Sequence, residues 1–243
     1  MKMSAFWHSS GVTSGPRPGF ISACTGTDGM LDWLAQRNFA PGSRLGFCAN
    51  NHPSLPALFT AAAVREIELV ACHHRLPDQQ LAAWCDTFAL HDLVVDQQRH
   101  LALRQHQLPA PRLSTPRYLP APDPAAPLLT VATSGSTGAP QAVSLCWRHL
   151  QAAAEAVIAH HQLRSSQKWA CVTSVDHIAG ASILYRAMIL GHDVLIAPFA
   201  AASLNAAIDK KSVQAVSLVP EMLRQVLDER QGLPFPESLD IIL

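Results

Sequence analysis

Residues 128–140 of the chain read LLTVATSGSTGAP, an apolar run followed at once by a loop of small and hydroxyl-bearing residues. The apolar run has the length of a buried strand. Gly135 and Gly138 let the backbone turn sharply and bring its N–H groups close to a ligand. Consecutive N–H groups in such a loop form a concave anion site, to which serine and threonine hydroxyls add donors. The stretch therefore predicts a strand that ends in a phosphate-binding loop, although a flexible surface loop has a similar composition.

Strand-like and helix-like segments alternate on both sides of this loop, with short connections between them. Helices are predicted at about residues 28–38, 54–65, 78–88, 147–162, 178–190, 203–210 and 221–230. Strands are predicted at residues 44–49, 68–72, 92–95, 128–132, 142–145, 169–173, 193–197, 215–218 and 239–243. This alternation is typical of the α/β class, with parallel-type sheets flanked by helices.

The overall composition excludes several classes of protein. Lys plus Arg and Asp plus Glu each number 18, so the basic excess of a nucleic-acid-binding protein is missing. No apolar segment is long enough to span a bilayer, so we expect no membrane partner and a cytoplasmic location. The six scattered cysteines form no CxxC pair, which favours reduced core thiols over disulfides.

Several other candidate sites are weak. The loop lacks the GxxxxGK[ST] spacing of a P-loop NTPase, and no GxSxG nucleophile elbow occurs. His73-His74 and His160-His161 are adjacent pairs, whose side chains diverge on a regular helix or strand. We therefore interpret both pairs as surface histidines and assign no metal ligand from the sequence.

The segment at residues 133–141 resembles the phosphate-binding loop of the adenylate-forming superfamily, which includes acyl-CoA synthetases, luciferases and nonribosomal-peptide adenylation domains. Eight of the nine positions of that family's pattern, Thr-Ser-Gly-Ser/Thr-Thr-Gly-x-Pro-Lys, are satisfied here. The similarity extends to residues 41–53, 75–77 and 216–220, and it covers about residue 28 to the end. The resemblance implies the layered α/β fold of that superfamily's large N-terminal domain.

The resemblance also implies ligands: ATP and Mg²⁺ as cofactors, a small-molecule carboxylic acid as substrate and coenzyme A as the expected acceptor. The residues that would bind the ATP phosphates are Thr133, Ser134, Gly135, Ser136, Thr137, Gly138 and Gln141. Gln141 stands where the family has lysine. Because glutamine offers only neutral hydrogen bonds, weaker ATP binding is expected.

The acyl site is implied by residues 174–180, SVDHIAG, which match the family's fourth core motif. His177 and Gly180 would line the acyl pocket. Within the superfamily the chain looks most like the o-succinylbenzoate–CoA ligases of menaquinone biosynthesis. Arg186 would then pair with a second carboxylate of the acid, since arginine suits bidentate carboxylate recognition. The alternative for Arg186 is a solvent-facing helix position.

The organisation expected from the resemblance has four parts. Residues 1–27 match nothing in the family, residues 28–106 form a first α/β part, and residues 128–243 form the phosphate-loop part. Between them, seven prolines at residues 107–127 predict a linker or surface excursion.

The family's later motifs, including its catalytic lysine, have no match in the chain, and no catalytic residue is assigned. We therefore expect a truncated enzyme that is incomplete alone and is completed by a C-terminal portion or a partner chain. The alternative is a non-catalytic nucleotide- or partner-binding protein that retained the fold.

Overall fold

The computed structural model describes residues 27–110, 119–133 and 141–243, and these residues form ten strands and seven helices. The strands are β1 (Arg44–Cys48), β2 (Glu68–Ala71), β3 (Asp92–Val95), β4 (Arg104–Gln107), β5 (Pro127–Thr133), β6 (Gln141–Cys146), β7 (Trp169–Cys171), β8 (Val194–Ile196), β9 (Ala215–Val216) and β10 (Ile241–Ile242). The helices are α1 (Thr27–Ala35), α2 (Leu55–Val64), α3 (Asp78–Thr87), α4 (Trp147–His160), α5 (Ile178–Leu190), α6 (Ala201–Asp209) and α7 (Pro220–Arg230).

The strands are arranged in two sheets, one with the order β4-β3-β1-β2-β5-β6 and one with the order β10-β9-β7-β8. All pairs are parallel except β5 with β6. The predicted α/β class is confirmed. The expectation of parallel-type sheets fails at β6, because only seven residues separate β5 from β6, too few for a parallel crossover.

The central strands are buried on both faces, and their side chains alternate between the cores on the two sides of each sheet. The sides of the two sheets that face each other bury helices α2, α4 and α5 in one shared core. The opposite side of the first sheet packs against α3, and the opposite side of the second sheet packs against α6 and α7. The result is a layered arrangement in which nine of the ten residues of α2 are buried. A helix that is apolar all round belongs in such a core.

The proline-rich stretch does not separate one sheet from the other. After it, the chain returns to the first sheet, where β5 pairs with β2 through Leu69–Leu129 and Val70–Thr130. The proposed boundary at residues 107–127 therefore does not coincide with a boundary between the two sheets, and the division of the chain into parts stays a prediction. The cysteine prediction is confirmed for the five described thiols, Cys48, Cys72, Cys85, Cys146 and Cys171, which are all free and buried.

Strand β4, with the sequence RQHQ, was not predicted because it lacks an apolar pattern. It forms a parallel ladder with β3 along its whole length, and Asp92 adds side-chain contacts: its carboxylate accepts from Arg104 Nε (2.9 Å) and pairs with His106 Nε2 (2.7 Å). Burial alone would raise the pKa of Asp92, but the hydrogen bonds from Arg104 and His106 outweigh it and the pKa is lowered. Side-chain pairing thus takes the place of hydrophobic burial at this sheet edge.

A buried carboxylate connects four adjacent strands of the first sheet. Glu68 on β2 is 4% exposed and accepts hydrogen bonds from Arg44 Nε on β1 (2.9 Å), Thr130 Oγ1 on β5 (2.6 Å) and Ser144 Oγ on β6 (2.7 Å). Burial alone would raise the pKa of Glu68, but these hydrogen bonds outweigh it and the pKa lies below its usual 4.5.

Among the described residues, no helix has the length and apolar character that a bilayer crossing requires.

We expect Glu68→Gln to lower the free energy of unfolding by about 1–3 kcal/mol at neutral pH, because buried donors lose a charged acceptor. A depressed carboxylate pKa stabilises the fold above pH 4.5 and ceases to do so as the pH falls through the folded-state pKa. The variant should therefore lose less stability than the wild type on acidification. Urea unfolding measured from about pH 7 to about pH 3 tests this. Glu237→Gln, at an exposed position, is the control, and equal curves for both variants would contradict the assignment.

Candidate functional site

The carboxyl ends of strands from both sheets meet at one side chain, that of Asn51. Its Nδ2 donates to the carbonyl oxygens of Cys171 (3.1 Å), Thr173 (3.1 Å) and Ala197 (3.0 Å), which lie at the ends of β7 and β8. Its Oδ1 accepts from the Val175 N–H (3.2 Å). Asn51 itself follows β1 in the first sheet and is 5% exposed. The loops that follow the parallel strands of the two sheets are therefore neighbours, and ligands of α/β sheets bind at such edges.

The predicted phosphate loop begins at this same edge. Strand β5 runs parallel to β2 and ends at Thr133, which pairs with Gln141 at the start of β6. Gln141 is exposed. The predicted phosphate ligands between these two positions, Ser134, Gly135, Ser136, Thr137 and Gly138, lie outside the described residues. Their role, and that of Gln141, stays a prediction.

Helix α5 begins directly against the loop that follows β7. A Cβ atom on Gly180 would lie 2.2 Å from the carbonyl oxygen of Ser174 and 2.6 Å from that of Thr173. Only glycine permits this approach, because both obstructing groups are backbone. His177 precedes the helix in an extended conformation, with its side chain 53% exposed. The close approach of Gly180 thus determines where His177 is presented.

Three histidines and one carboxylate gather around the start of α5. Asp176 is buried, and its Oδ2 accepts from the His74 backbone N–H (3.1 Å) and pairs with His74 Nδ1 (3.0 Å). Its Oδ1 lies 3.6 Å from His177 Nε2. The His73 ring stacks on His74 with centroids 5.0 Å apart and meets the His177 ring edge-on at 5.4 Å. We call these four residues the histidine cluster.

The structure corrects the sequence interpretation of one adjacent histidine pair and confirms that of the other. His73 and His74 are half-buried with nearly parallel rings, so their assignment as diverging surface histidines is wrong. They follow β2 in a loop, where the backbone need not alternate, and the loop after β7 covers them. His160 and His161 are exposed, as predicted. Burial alone would raise the pKa of Asp176, but hydrogen bonding from His74 and the Ser174 hydroxyl outweighs it and the pKa is lowered.

Arg186 lies inside the shared core, two and a half turns along α5 from His177. Its guanidinium carbon sits 4.4 Å from the centre of the Trp169 ring, and His192 stacks on the same tryptophan at 5.5 Å. The solvent-facing alternative is wrong, because Arg186 is 4% exposed. Among the described residues, neither Nε and Nη2 of Arg186 nor the two ring nitrogens of His192 have a hydrogen-bond partner.

Burial lowers the pKa values of both Arg186 and His192. It lowers the pKa of Arg186 to about 10 and, together with the neighbouring Arg186, lowers the pKa of His192 to about 3. At neutral pH, His192 is neutral and Arg186 remains a buried cation. Such a charge is costly without an anionic partner.

The fold is that of a layered α/β protein, and this edge, at the carboxyl ends of its strands, is its candidate ligand site. Residues 32–240 match the AMP-binding enzyme family, and the chain belongs to that family.

Three comparisons with individual proteins agree with this family membership. The 2-succinylbenzoate–CoA ligase of Bacillus cytotoxicus is 30% identical over 112 residues, which are 46% of this chain and 23% of that protein. The o-succinylbenzoate CoA synthetase of Bacillus subtilis in complex with the acyl-adenylate OSB-AMP superimposes with a TM-score of 0.77 at 19% identity, covering 89% of this chain and 46% of that chain. The same enzyme with ATP and magnesium gives a TM-score of 0.75 at 18% identity, covering 89% and 60%. These similarities extend over only part of each relative's length.

Sequence reasoning missed Asn51 and Asp176. Asn51 lies in the turn NNHP after the first strand, and Asp176 directly precedes the predicted acyl-site histidine. A polar residue next to the end of a predicted parallel strand was the available signal in both cases.

Gly180→Ala should lower the free energy of unfolding by about 1–3 kcal/mol or more, because the added methyl meets backbone that cannot rotate away. Urea unfolding of the variant tests this, with the exposed neighbour Ala179→Ser as control. If both variants match the wild type, the start of α5 does not lie this close to residues 173–174.

Proposed function

We propose that this chain supplies the ATP-phosphate site and the acyl pocket of an ATP-dependent carboxylic acid–CoA ligase that forms an acyl-adenylate. The observation that carries the proposal is the convergence at Asn51, where β1, β7 and β8 end together. The strand that leads into the phosphate loop runs parallel to β2 and ends at the same edge as β1. Phosphate and acid would therefore be bound side by side. Membership of the AMP-binding enzyme family supports this reading.

The reaction would be an in-line attack of the acid's carboxylate on the α-phosphate of ATP. A carboxylate oxygen–phosphorus bond forms, the bond to the β-phosphate breaks, and pyrophosphate leaves; the thiol of coenzyme A then displaces AMP. The loop hydroxyls and N–H groups at residues 133–138 are suited to hold phosphate oxygens. Mg²⁺ would add positive charge at the phosphates, as the complex of the Bacillus subtilis enzyme with ATP and magnesium suggests. We assign no residue of this chain as its ligand.

The acid that this site supports is an aromatic dicarboxylate of the o-succinylbenzoate kind. The buried guanidinium of Arg186 has unpartnered nitrogens among the described residues, so a carboxylate there would compensate the cost of its burial. Nine residues along a helix correspond to about 13 Å, so Arg186 lies deeper than His177 and could meet the far end of the acid. The sequence similarity to 2-succinylbenzoate–CoA ligases points the same way.

A second candidate is a nucleotide- or partner-binding protein of the same fold without catalysis. Gln141, in place of a lysine, is the observation that favours it. The two candidates share the phosphate loop and differ in whether a carboxylic acid is bound and activated.

We expect the protein to bind Mg²⁺-ATP in calorimetric titration and Gly135→Trp to abolish that binding, because the indole would fill the loop. Gln141→Lys should tighten binding about fivefold, since a charged donor replaces a neutral one. Ser166→Trp, which adds an indole to an exposed loop elsewhere, is the control. Equal affinities in all four proteins would contradict a nucleotide site at the loop.

For the acid, Arg186→Met keeps an unbranched apolar stem against Trp169 and removes the charge. Its affinity for o-succinylbenzoate should fall about tenfold to a hundredfold. Affinity for 4-oxo-4-phenylbutanoate, which lacks the ring carboxylate, should stay as in the wild type. Titration of both acids into both proteins gives the ratio, and an unchanged ratio would remove Arg186 from substrate recognition.

A further inference from the structure

The histidine cluster has the composition of a metal site. Within residues 27–110, 119–133 and 141–243, His73, His74 and Asp176 are the only group of three His, Cys, Asp or Glu side chains whose ligand atoms all lie within 4.8 Å of one another. The group joins two distant parts of the chain, the loop after β2 and the loop after β7. Neither the phosphate loop nor Arg186 belongs to it.

A second observation points to a missing ligand. Oδ1 of Asp176 accepts no hydrogen bond of regular geometry from the described residues, although the side chain is 0% exposed. A neighbouring donor is the Ser174 hydroxyl, which contributes to the lowered pKa of Asp176 but itself has no well-formed hydrogen bond among these residues. A buried carboxylate oxygen without a partner is unfavourable, and a cation would compensate it. His177 Nε2 lies 3.6 Å from this oxygen, so a further imidazole faces the same point.

The group is also held in place by its surroundings. Oδ2 of Asp176 is bonded to both the backbone N–H and Nδ1 of His74. The backbone of His74 is in turn held by Arg99, whose Nη1 donates to the His74 carbonyl (3.3 Å) and whose Nε donates to Asp78 (2.8 Å). The contacts from Arg99 come from outside the group, and such outer contacts orient the ligands of metal sites in proteins. The Asp176–His74 pairing lies between two members of the group and holds them close together.

We propose that His73, His74 and Asp176 bind a divalent transition metal of the zinc class, with His177 or water as the fourth ligand. Two imidazoles and one carboxylate suit such an ion, whereas Mg²⁺ prefers oxygen ligands. Ligand atoms of a tetrahedral site are about 3.3 Å apart, so the group has to contract by at most about 1.5 Å. Rotation of the imidazole rings can supply this.

Occupancy would affect the acyl site, a consequence that rests on the proposed function. Coordination would draw the exposed His177 ring towards Asp176 and away from a bound acid. Metal binding itself is independent of ATP and acid, so its failure and the failure of the proposed function are distinguishable.

The test is calorimetric titration of the whole chain with Zn²⁺ alone, followed by Co²⁺ titration with visible absorption. We expect one ion per chain and d–d bands of a four-coordinate nitrogen and oxygen site. His73→Gln and Asp176→Asn should each weaken binding at least about tenfold. Glutamine at His73, which is half-buried, and asparagine at Asp176 approximate the shapes of the side chains they replace, and circular dichroism verifies the fold of each variant.

The matched control is His160→Gln/His161→Gln, which removes the other adjacent histidine pair from the surface. It should bind Zn²⁺ as the wild type does. The proposal is overturned if the wild type takes up no Zn²⁺ up to about 1 mM. It is also overturned if the control variant loses binding, if His73→Gln keeps full affinity, or if Co²⁺ gives the near-ultraviolet charge-transfer band of thiolate ligation.

Discussion

The arrangement of the two sheets depends on the hydrogen bonds of Asn51. Three carbonyl oxygens from the ends of β7 and β8 share its two amide hydrogens, and a backbone N–H meets its oxygen. Backbone groups at strand ends lack a full set of ladder partners and must be satisfied in another way when buried. One side chain therefore does two things at once: it satisfies the end of the second sheet and attaches that end to the first.

The position of the candidate site follows from this attachment. Once the carboxyl edges are joined, the loop after β2, the end of β5 and the start of α5 have to share one region. Because Gly180 has no side chain, the start of α5 packs directly against the backbone of the loop before it. Within the region, the two candidate ligand groups lie at different depths. The histidine cluster is at the entrance of α5, and Arg186 is in the shared core.

The sequence was sufficient to predict the elements that a local apolar pattern determines. It was insufficient where the structure depends on contacts between side chains that are far apart along the chain. Apolar runs predicted nine of the ten described strands and all seven described helices. Strand β4 was missed because its residues are polar and contact Asp92 instead of following an apolar pattern. The histidine pair after β2 was misjudged because its partner, Asp176, is 102 residues away along the chain. The burial of Arg186 was hidden for a similar reason, since it depends on Trp169 and His192 packing around α5.

Helix α2 lies between both sheets and has almost no contact with solvent. Because every side of the helix is covered, its amide hydrogens can exchange with water only when one of the sheets separates from it. Protein segments that exchange only in the globally unfolded state mark the most stable cooperative unit of a fold. For this chain that unit is expected to be a short, alanine-rich helix with little intrinsic amphipathicity, protected entirely by the layers on either side.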